Sequence, residues 1–241
     1  MSMPKHTYAL SPPTIRSLPI LGSTERFPVR SIYCVGRNYA DHVREMGSDP
    51  ADRPCFFMKP THALVTDDGP VPYPPETSNF HHEVELVVAL KSGGRNLAPE
   101  VVLHHVFGYA VGLDLTRRDL QNALKQKGQP WELAKSFTGS APCSALLPAT
   151  RAVPTVKPWH LRLTVNGELR QEATSAQMIW SIEQLVSELS RYDRLEAGDL
   201  LFTGTPAGVG PLEPGDQGVA ELVGHACLRF TVVAAGSGSG L

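Results

Sequence analysis

Three acidic residues stand where apolar stretches begin or end: Glu83, Glu85 and Asp114. Glu83 and Glu85 open a run that continues Leu86-Val87-Val88-Ala89-Leu90, whose length and β-branched content predict a buried strand. Residues i and i+2 of a strand share a face, so the two glutamates are expected to project together. Asp114 lies at the end of a second apolar run, from Val106 to Leu115. Carboxylates held side by side repel one another and resist burial unless something neutralises them. Three carboxylates with no cysteine cluster nearby would suit a hard divalent ion that keeps positions open for water or substrate. The plainer alternative is that the glutamates face water at a strand end. Zinc would call for His and Cys. His82-Glu83 does not extend to H-E-x-x-H, because Leu86 stands at the second His position. His82 is then expected to be a loop histidine with a local hydrogen bond.

Other residues have chemical potential. His42 and Glu45 stand three apart on a short helix predicted over residues 37–47 and ended by Gly47. They could form a base and its orienting carboxylate, or an ordinary solvated pair. Lys135 follows Pro130-Trp131 in a mostly apolar stretch. It could hold an anionic substrate or an enolate, or lie on the surface with its stem buried. Arg118 and Gln121 share one face of a helix predicted to open on a capping-box variant, Thr116 to Asp119, and to stop at Gly128. The turn Thr203-Gly204-Thr205-Pro206 offers hydroxyls and backbone N–H groups that can cradle a carboxylate. No phosphate loop, no dinucleotide fingerprint after a strand and no G-x-S-x-G elbow occurs.

The elements that must position these groups are mostly strands. The chain has 241 residues, 21 of them Gly and 21 Pro, which favours turns and a β-rich fold. Strands are predicted at residues 31–35, 54–60, 84–90, 106–115, 161–165, 168–172, 200–202 and 226–233. Asn166-Gly167 marks a hairpin, and Ser181 opens an amphipathic helix to about Tyr192. The fold class expected is α+β and β-rich, with an extended segment at 1–30, one domain at 31–233 and a flexible Gly/Ser tail at 234–241. Net charge is −2, which gives no electrostatic case for nucleic acid or an anionic membrane surface. Cys34, Cys55, Cys143 and Cys227 are far apart, without C-x-x-C spacing. With no membrane-spanning run and no signal-peptide pattern, a soluble cytoplasmic protein is expected.

Together these segments resemble the fumarylacetoacetate hydrolase superfamily, and within it the acylpyruvate hydrolase, oxaloacetate decarboxylase and fumarylpyruvate hydrolase branch. The resemblance rests on Val35-Gly36-Arg37-Asn38-Tyr39-Ala40-Asp41-His42, Phe57-Met58-Lys59-Pro60 and His82-Glu83-Val84-Glu85-Leu86. It continues through Asp114 to Gln121, Trp131 to Phe137, Val165-Asn166-Gly167-Glu168 and Leu201 to Gly210. It implies a mixed β-sandwich roll of the C-terminal-domain type and a homodimer. It implies Mg²⁺ or Mn²⁺ held by Glu83, Glu85 and Asp114. It implies catalytic roles for His42, Glu45 and Lys135, with His42 and Glu45 on a lid helix, and it implies that Arg37, Asn38, Arg118, Gln121 and Thr205 surround the substrate, a small 2-oxo or 2,4-dioxo acid. The reaction implied is metal-dependent hydrolysis of a C–C bond of an acylpyruvate, with oxaloacetate decarboxylation or a hydratase or isomerase reaction of 2-oxo acids as alternatives.

Overall fold

Burial on both faces explains why the central strands read as unbroken apolar runs. The computed structural model describes residues 7–40, 53–152 and 158–234. At its centre is a mixed sheet of six strands: β1 (Ser31–Gly36), β2 (Cys55–Lys59), β4 (Val84–Leu90), β5 (Val106–Leu113), β6 (Leu147–Pro148) and β9 (Asp199–Phe202). Their spatial order is β6-β5-β4-β9-β1-β2, all antiparallel neighbours except β9 with β1. All seven residues of β4 are buried.

A second sheet is laid across one face. It holds β3 (Val71–Pro72), β7 (His160–Val165), β8 (Glu168–Thr174), β10 (Gln217–Leu222) and β11 (Ala226–Val233), in the order β8-β7-β10-β11-β3. Its residues alternate as a half-buried sheet should. Leu161, Leu163, Leu222, Leu228 and Phe230 meet Leu86, Val88, Val111 and Leu113 of the central sheet in one core. Arg162 and Glu221 pair at 3.0 Å on the outer face. The opposite face of the central sheet is covered by a second cluster, in which Leu18 and Phe27 pack with Ile32, Val87, Ala89, Leu200 and Phe202. Leu18 and Phe27 come from Ser17–Pro19 and Arg26–Pro28, which pair antiparallel, so part of the expected lead-in is a short ribbon with a structural duty.

Local signals explain the connections. Asn166 and Gly167 both have positive φ, 52° and 80°, as a type I′ hairpin turn requires. Ser181 and Gln184 close a capping box on α3 (Ile182–Tyr192). The capping box expected at Thr116 is absent. Thr116 and Arg117 instead pair with His81 and Phe80, and α1 (Arg118–Gln126) starts without a side-chain cap. The Thr116 hydroxyl donates to the Asp114 carbonyl, and Asp119 accepts from Thr77 and Ser78. Lys135 ends a single-turn helix, α2 (Glu132–Lys135), that the sequence pattern did not mark. The helix expected over residues 37–47 does not begin at Arg37: Arg37 has φ of 69° and Tyr39 forms a β-bridge with Met178, and residues 41–47, like most of the Gly/Ser tail, lie outside the described residues. Among the described residues no helix is long and apolar enough to cross a membrane.

Candidate active site

The register of β4 against β5 brings the carboxylates together. Val84 faces Leu113, and one step beyond the ladder the Asp114 N–H donates to the Glu83 carbonyl at 2.9 Å. Residues opposite each other across an antiparallel pair share a face, and so do i and i+2 along one strand. Glu83, Asp114 and Glu85 therefore converge, each with a carboxylate oxygen within 4.8 Å of the others. All three are at least 95% buried. Glu83 lies between the short strand Phe80–His82 and β4, in a one-residue break of the ladder.

Three cations face the three carboxylates. Lys135 Nζ donates to Glu83 Oε2 and to Asp114 Oδ2, each at 2.7 Å. Arg118 Nη2 pairs with Glu83 Oε1. Lys59 Nζ stands 2.8 Å from Asp114 Oδ1. That last pair is poorly aligned for a hydrogen bond, so Asp114 Oδ1 is a buried oxygen with lone pairs left for another partner. Burial pushes the Glu85 carboxyl well above the usual carboxylate range, and Asp114 and Glu83 push it further. Burial opposes charge on Lys135, but Asp114 and Glu83 outweigh it and hold its ammonium above the ordinary lysine value.

The donor set fits a divalent ion. It is all oxygen, it contains an unsatisfied buried carboxylate oxygen, and its third member carries a proton more readily than a solvated glutamate unless a cation is added. Glu83, Glu85 and Asp114 would hold it.

Among the described residues, the remaining expected site residues divide into those that line the cleft and one, Asn38, that does not. Arg37, Arg118, Gln121, Lys135 and Thr205 line it beside the three carboxylates. Arg118 is fixed from two further sides: its Nη1 donates to Gln121 Oε1, and its Nε reaches His81 Nδ1 at 3.3 Å. Burial, helped by the Arg118 charge, lowers His81 to about 4. The ring is then neutral, with Nε2–H donating to Asn79 Oδ1 at 2.7 Å and Nδ1 accepting from Arg118. Arg37 has φ of 69°, rare for a residue with a Cβ, and its guanidinium lies 5.9 Å from the Trp131 ring centre.

Asn38, expected among the substrate contacts, is fully buried behind the cleft. Its amide donates to the Trp180 and Thr203 carbonyls and accepts from the Trp180 N–H. Asn38 is a staple that holds the chain after Gly36. Thr205 lines the cleft, but its hydroxyl proton goes to the Val84 carbonyl, and its oxygen accepts from Gln171. A substrate oxyanion therefore gains no O–H donor from it. The carboxylate cradled by the Thr203-Gly204-Thr205 turn is the protein's own, because the Gly204 N–H donates to Glu85 Oε2 at 2.7 Å. His42 and Glu45 lie outside the described residues.

Two residues of the site were missed by sequence reasoning, and a third was misjudged. Lys59 is 1% exposed and donates to the Leu115 and Lys135 carbonyls and the Ser140 hydroxyl. The signal was a lysine ending the apolar strand Cys55–Lys59, the same strand-end pattern that singled out the acids. Gln171 bonds His82 Nδ1, the Val84 N–H, the Thr205 hydroxyl and the Pro206 carbonyl. Nothing in the sequence of a hairpin return strand distinguishes it. His82 accordingly is no loop histidine with a local partner: it is buried in a strand and tied to a residue 89 positions away. Lys59→Met is expected to lower the unfolding free energy by roughly 3 kcal/mol, because breaking a buried ion pair leaves charge uncompensated. Urea denaturation would measure it.

The fumarylacetoacetate (FAA) hydrolase C-terminal family matches residues 31–233. This chain belongs to the fumarylacetoacetate hydrolase family. Its mostly-β fold with few short helices is that of the family's C-terminal domain. It is similar to the mitochondrial oxaloacetate tautomerase FAHD1 of Mus musculus, 46% identical over 203 residues that cover 84% of this chain and 91% of the relative. Oxaloacetate tautomerase YcgM of Escherichia coli is 43% identical over 85% of this chain and 93% of its own length. The crystal structure of fumarylpyruvate hydrolase from Pseudomonas aeruginosa, in complex with Mn²⁺ and pyruvate, superposes with a TM-score of 0.91 at 45% identity. That superposition covers 95% of this chain and all of the other. Within the family, then, the buried acidic trio and its cations form a candidate enzyme centre.

Proposed function

We propose that this chain is a Mg²⁺- or Mn²⁺-dependent hydrolase that splits an acylpyruvate, of the fumarylpyruvate or acetylpyruvate type, into pyruvate and a carboxylic acid. The observation that carries the reading is the convergence of Glu83, Glu85 and Asp114 on one buried point beside Lys135 and Arg118. A divalent ion bound there would supply Lewis-acid polarisation of the substrate's 2-oxo oxygen, worth several kcal/mol of barrier. Its two charges would also leave the buried cluster in positive surplus, which favours an anionic ligand. The Arg118 guanidinium, oriented by Gln121 and His81, is the group for the substrate carboxylate. His42, oriented by Glu45, takes a proton from water. The resulting hydroxide adds to the carbonyl distal to the carboxylate, and the adjacent C–C bond breaks. Its electrons pass to the pyruvate half as an enolate, whose oxygen is stabilised by the Lys135 ammonium. Protonation at carbon then gives pyruvate.

A second reading has its own support in the two oxaloacetate tautomerases at 46% and 43% identity. Enolisation of oxaloacetate uses the same polarised 2-oxo group without an attacking water. One panel separates the readings. Purified enzyme with Mg²⁺ or Mn²⁺ is assayed for pyruvate release from fumarylpyruvate, acetylpyruvate and oxaloacetate, and for enol loss from oxaloacetate. Pyruvate from either acylpyruvate, suppressed by a chelator, is the expected result. Enol loss alone would replace the hydrolase reading with the tautomerase one.

A further inference from the structure

Beside the acidic floor, side chains replace a strand. β9 ends at Phe202, and just past it the Thr203 N–H donates to the Leu86 carbonyl of β4. Two residues nearer the acids, Val84 bonds to side chains instead. Its N–H donates to Gln171 Oε1 at 3.0 Å, and its carbonyl accepts from the Thr205 hydroxyl at 2.9 Å. The Thr205 oxygen accepts in turn from Gln171 Nε2 at 2.9 Å. Gln171, Val84 and Thr205 thus close a ring of hydrogen bonds at the one residue that separates Glu83 from Glu85.

The Gln171 amide is saturated. Besides the ring, Oε1 accepts from His82 Nδ1 and Nε2 donates to the Pro206 carbonyl, each at 2.9 Å. A primary amide has two acceptor positions and two N–H donors, and all are filled. The main-chain partners, the Val84 N–H and the Pro206 carbonyl, fix which end is the oxygen. His82 and Val84 flank Glu83, so one oxygen grips both sides of the break in which that glutamate lies. Thr205 follows Gly204, whose N–H holds Glu85 Oε2. Gln171 is 1% exposed and comes from β8, the outer strand of the second sheet. A Cβ on Gly208 would come within 2.4 Å of the Arg170 carbonyl, so the same loop lies directly on β8 beside Gln171.

We infer that Gln171 is a positioning residue: it sets the separation of the Glu83 and Glu85 carboxylates and thereby the affinity of the acidic trio for a divalent ion. The inference rests on the proposed metal site and adds what keeps its ligands in place. Neighbouring carboxylates repel, so their convergence before an ion arrives depends on a backbone that does not yield. Gln171 is absent from the cleft lining and acts through His82, Val84 and Thr205.

The test measures Mn²⁺ binding by the EPR signal of the free ion, with thermal melts in chelator as the measure of the fold itself. Gln171→Met keeps the side-chain length and removes the amide. It should raise the Mn²⁺ Kd about 10- to 100-fold, the usual effect of losing a group that orients metal ligands. Leu228→Ala, in the same core but on β11, should lower the melting temperature and leave the Mn²⁺ Kd unchanged. Thr205→Val breaks the same ring, so it should also weaken Mn²⁺, and the double variant should bind little worse than the poorer single one. An unchanged Kd in Gln171→Met, or an equal loss in Leu228→Ala, would overturn the inference. If Gln171→Met does not fold, an unchanged Kd in Thr205→Val overturns it, and a raised one supports it. Wild type that binds no Mn²⁺ would sink the metal site and the inference together, whereas tight wild-type binding with unaffected variants would sink the inference alone.

Discussion

Asp114→Asn should reduce pyruvate release at least about a thousandfold, the rate equivalent of losing several kcal/mol of carbonyl polarisation. The substitution keeps shape and removes charge at the residue that ties the acidic trio to Lys59 and Lys135. A second readout does not depend on turnover. At about a hundred times its dissociation constant, Mg²⁺ or Mn²⁺ should stabilise the wild-type fold by about 2.7 kcal/mol. For a chain of this size that is a rise in Tm of roughly 5–10 °C. The rise should vanish in Asp114→Asn, as measured by a thermal melt with and without the ion. Wild-type turnover that survives a chelator unchanged would remove the metal from the mechanism.

His42→Ala should separate two reactions that share an enolate. Hydrolysis of an acylpyruvate needs a water deprotonated as it attacks, and general-base assistance is worth on the order of 10²- to 10⁴-fold. Loss of CO₂ from oxaloacetate generates the pyruvate enolate with no attacking water. The variant is therefore expected to lose acylpyruvate cleavage by that factor and to retain most of its oxaloacetate decarboxylation. The two rates, followed by pyruvate formation with each substrate, check this. A parallel loss of both would reassign His42 to substrate positioning.

Much of this centre was legible because strand geometry is simple. A period of two puts Glu83 and Glu85 on one face, and an acid at the end of the neighbouring run completes the trio. Helical spacing likewise paired Arg118 with Gln121. The hairpin at Asn166-Gly167 and the capping box at Ser181 are local devices, set by the residues themselves. What escaped depends on distant chain. The Thr116 hydroxyl chose the Asp114 carbonyl over a helix cap because residues 116–117 are recruited as a strand by Phe80–His82. Asn38 and His82 take partners 142 and 89 positions away, so their spacing in the sequence carries no sign of either bond. Lys59 was hidden by habit of burial: lysines are rarely interior, and only the fold shows the acid and the carbonyls that admit one.

The groups that aim Glu85 and Thr205 are a backbone amide and a backbone carbonyl, those of Gly204 and Val84. Main-chain atoms survive almost any codon change, and a Cβ on Gly204 would come within 2.7 Å of Asn38 Cβ. The reacting end is thereby shielded from mutational drift, whereas Arg37, Lys125 and Trp131 stand on partly or fully exposed surface. Laboratory evolution of new acyl preferences should accordingly gather its substitutions at the entrance and leave the acidic floor untouched.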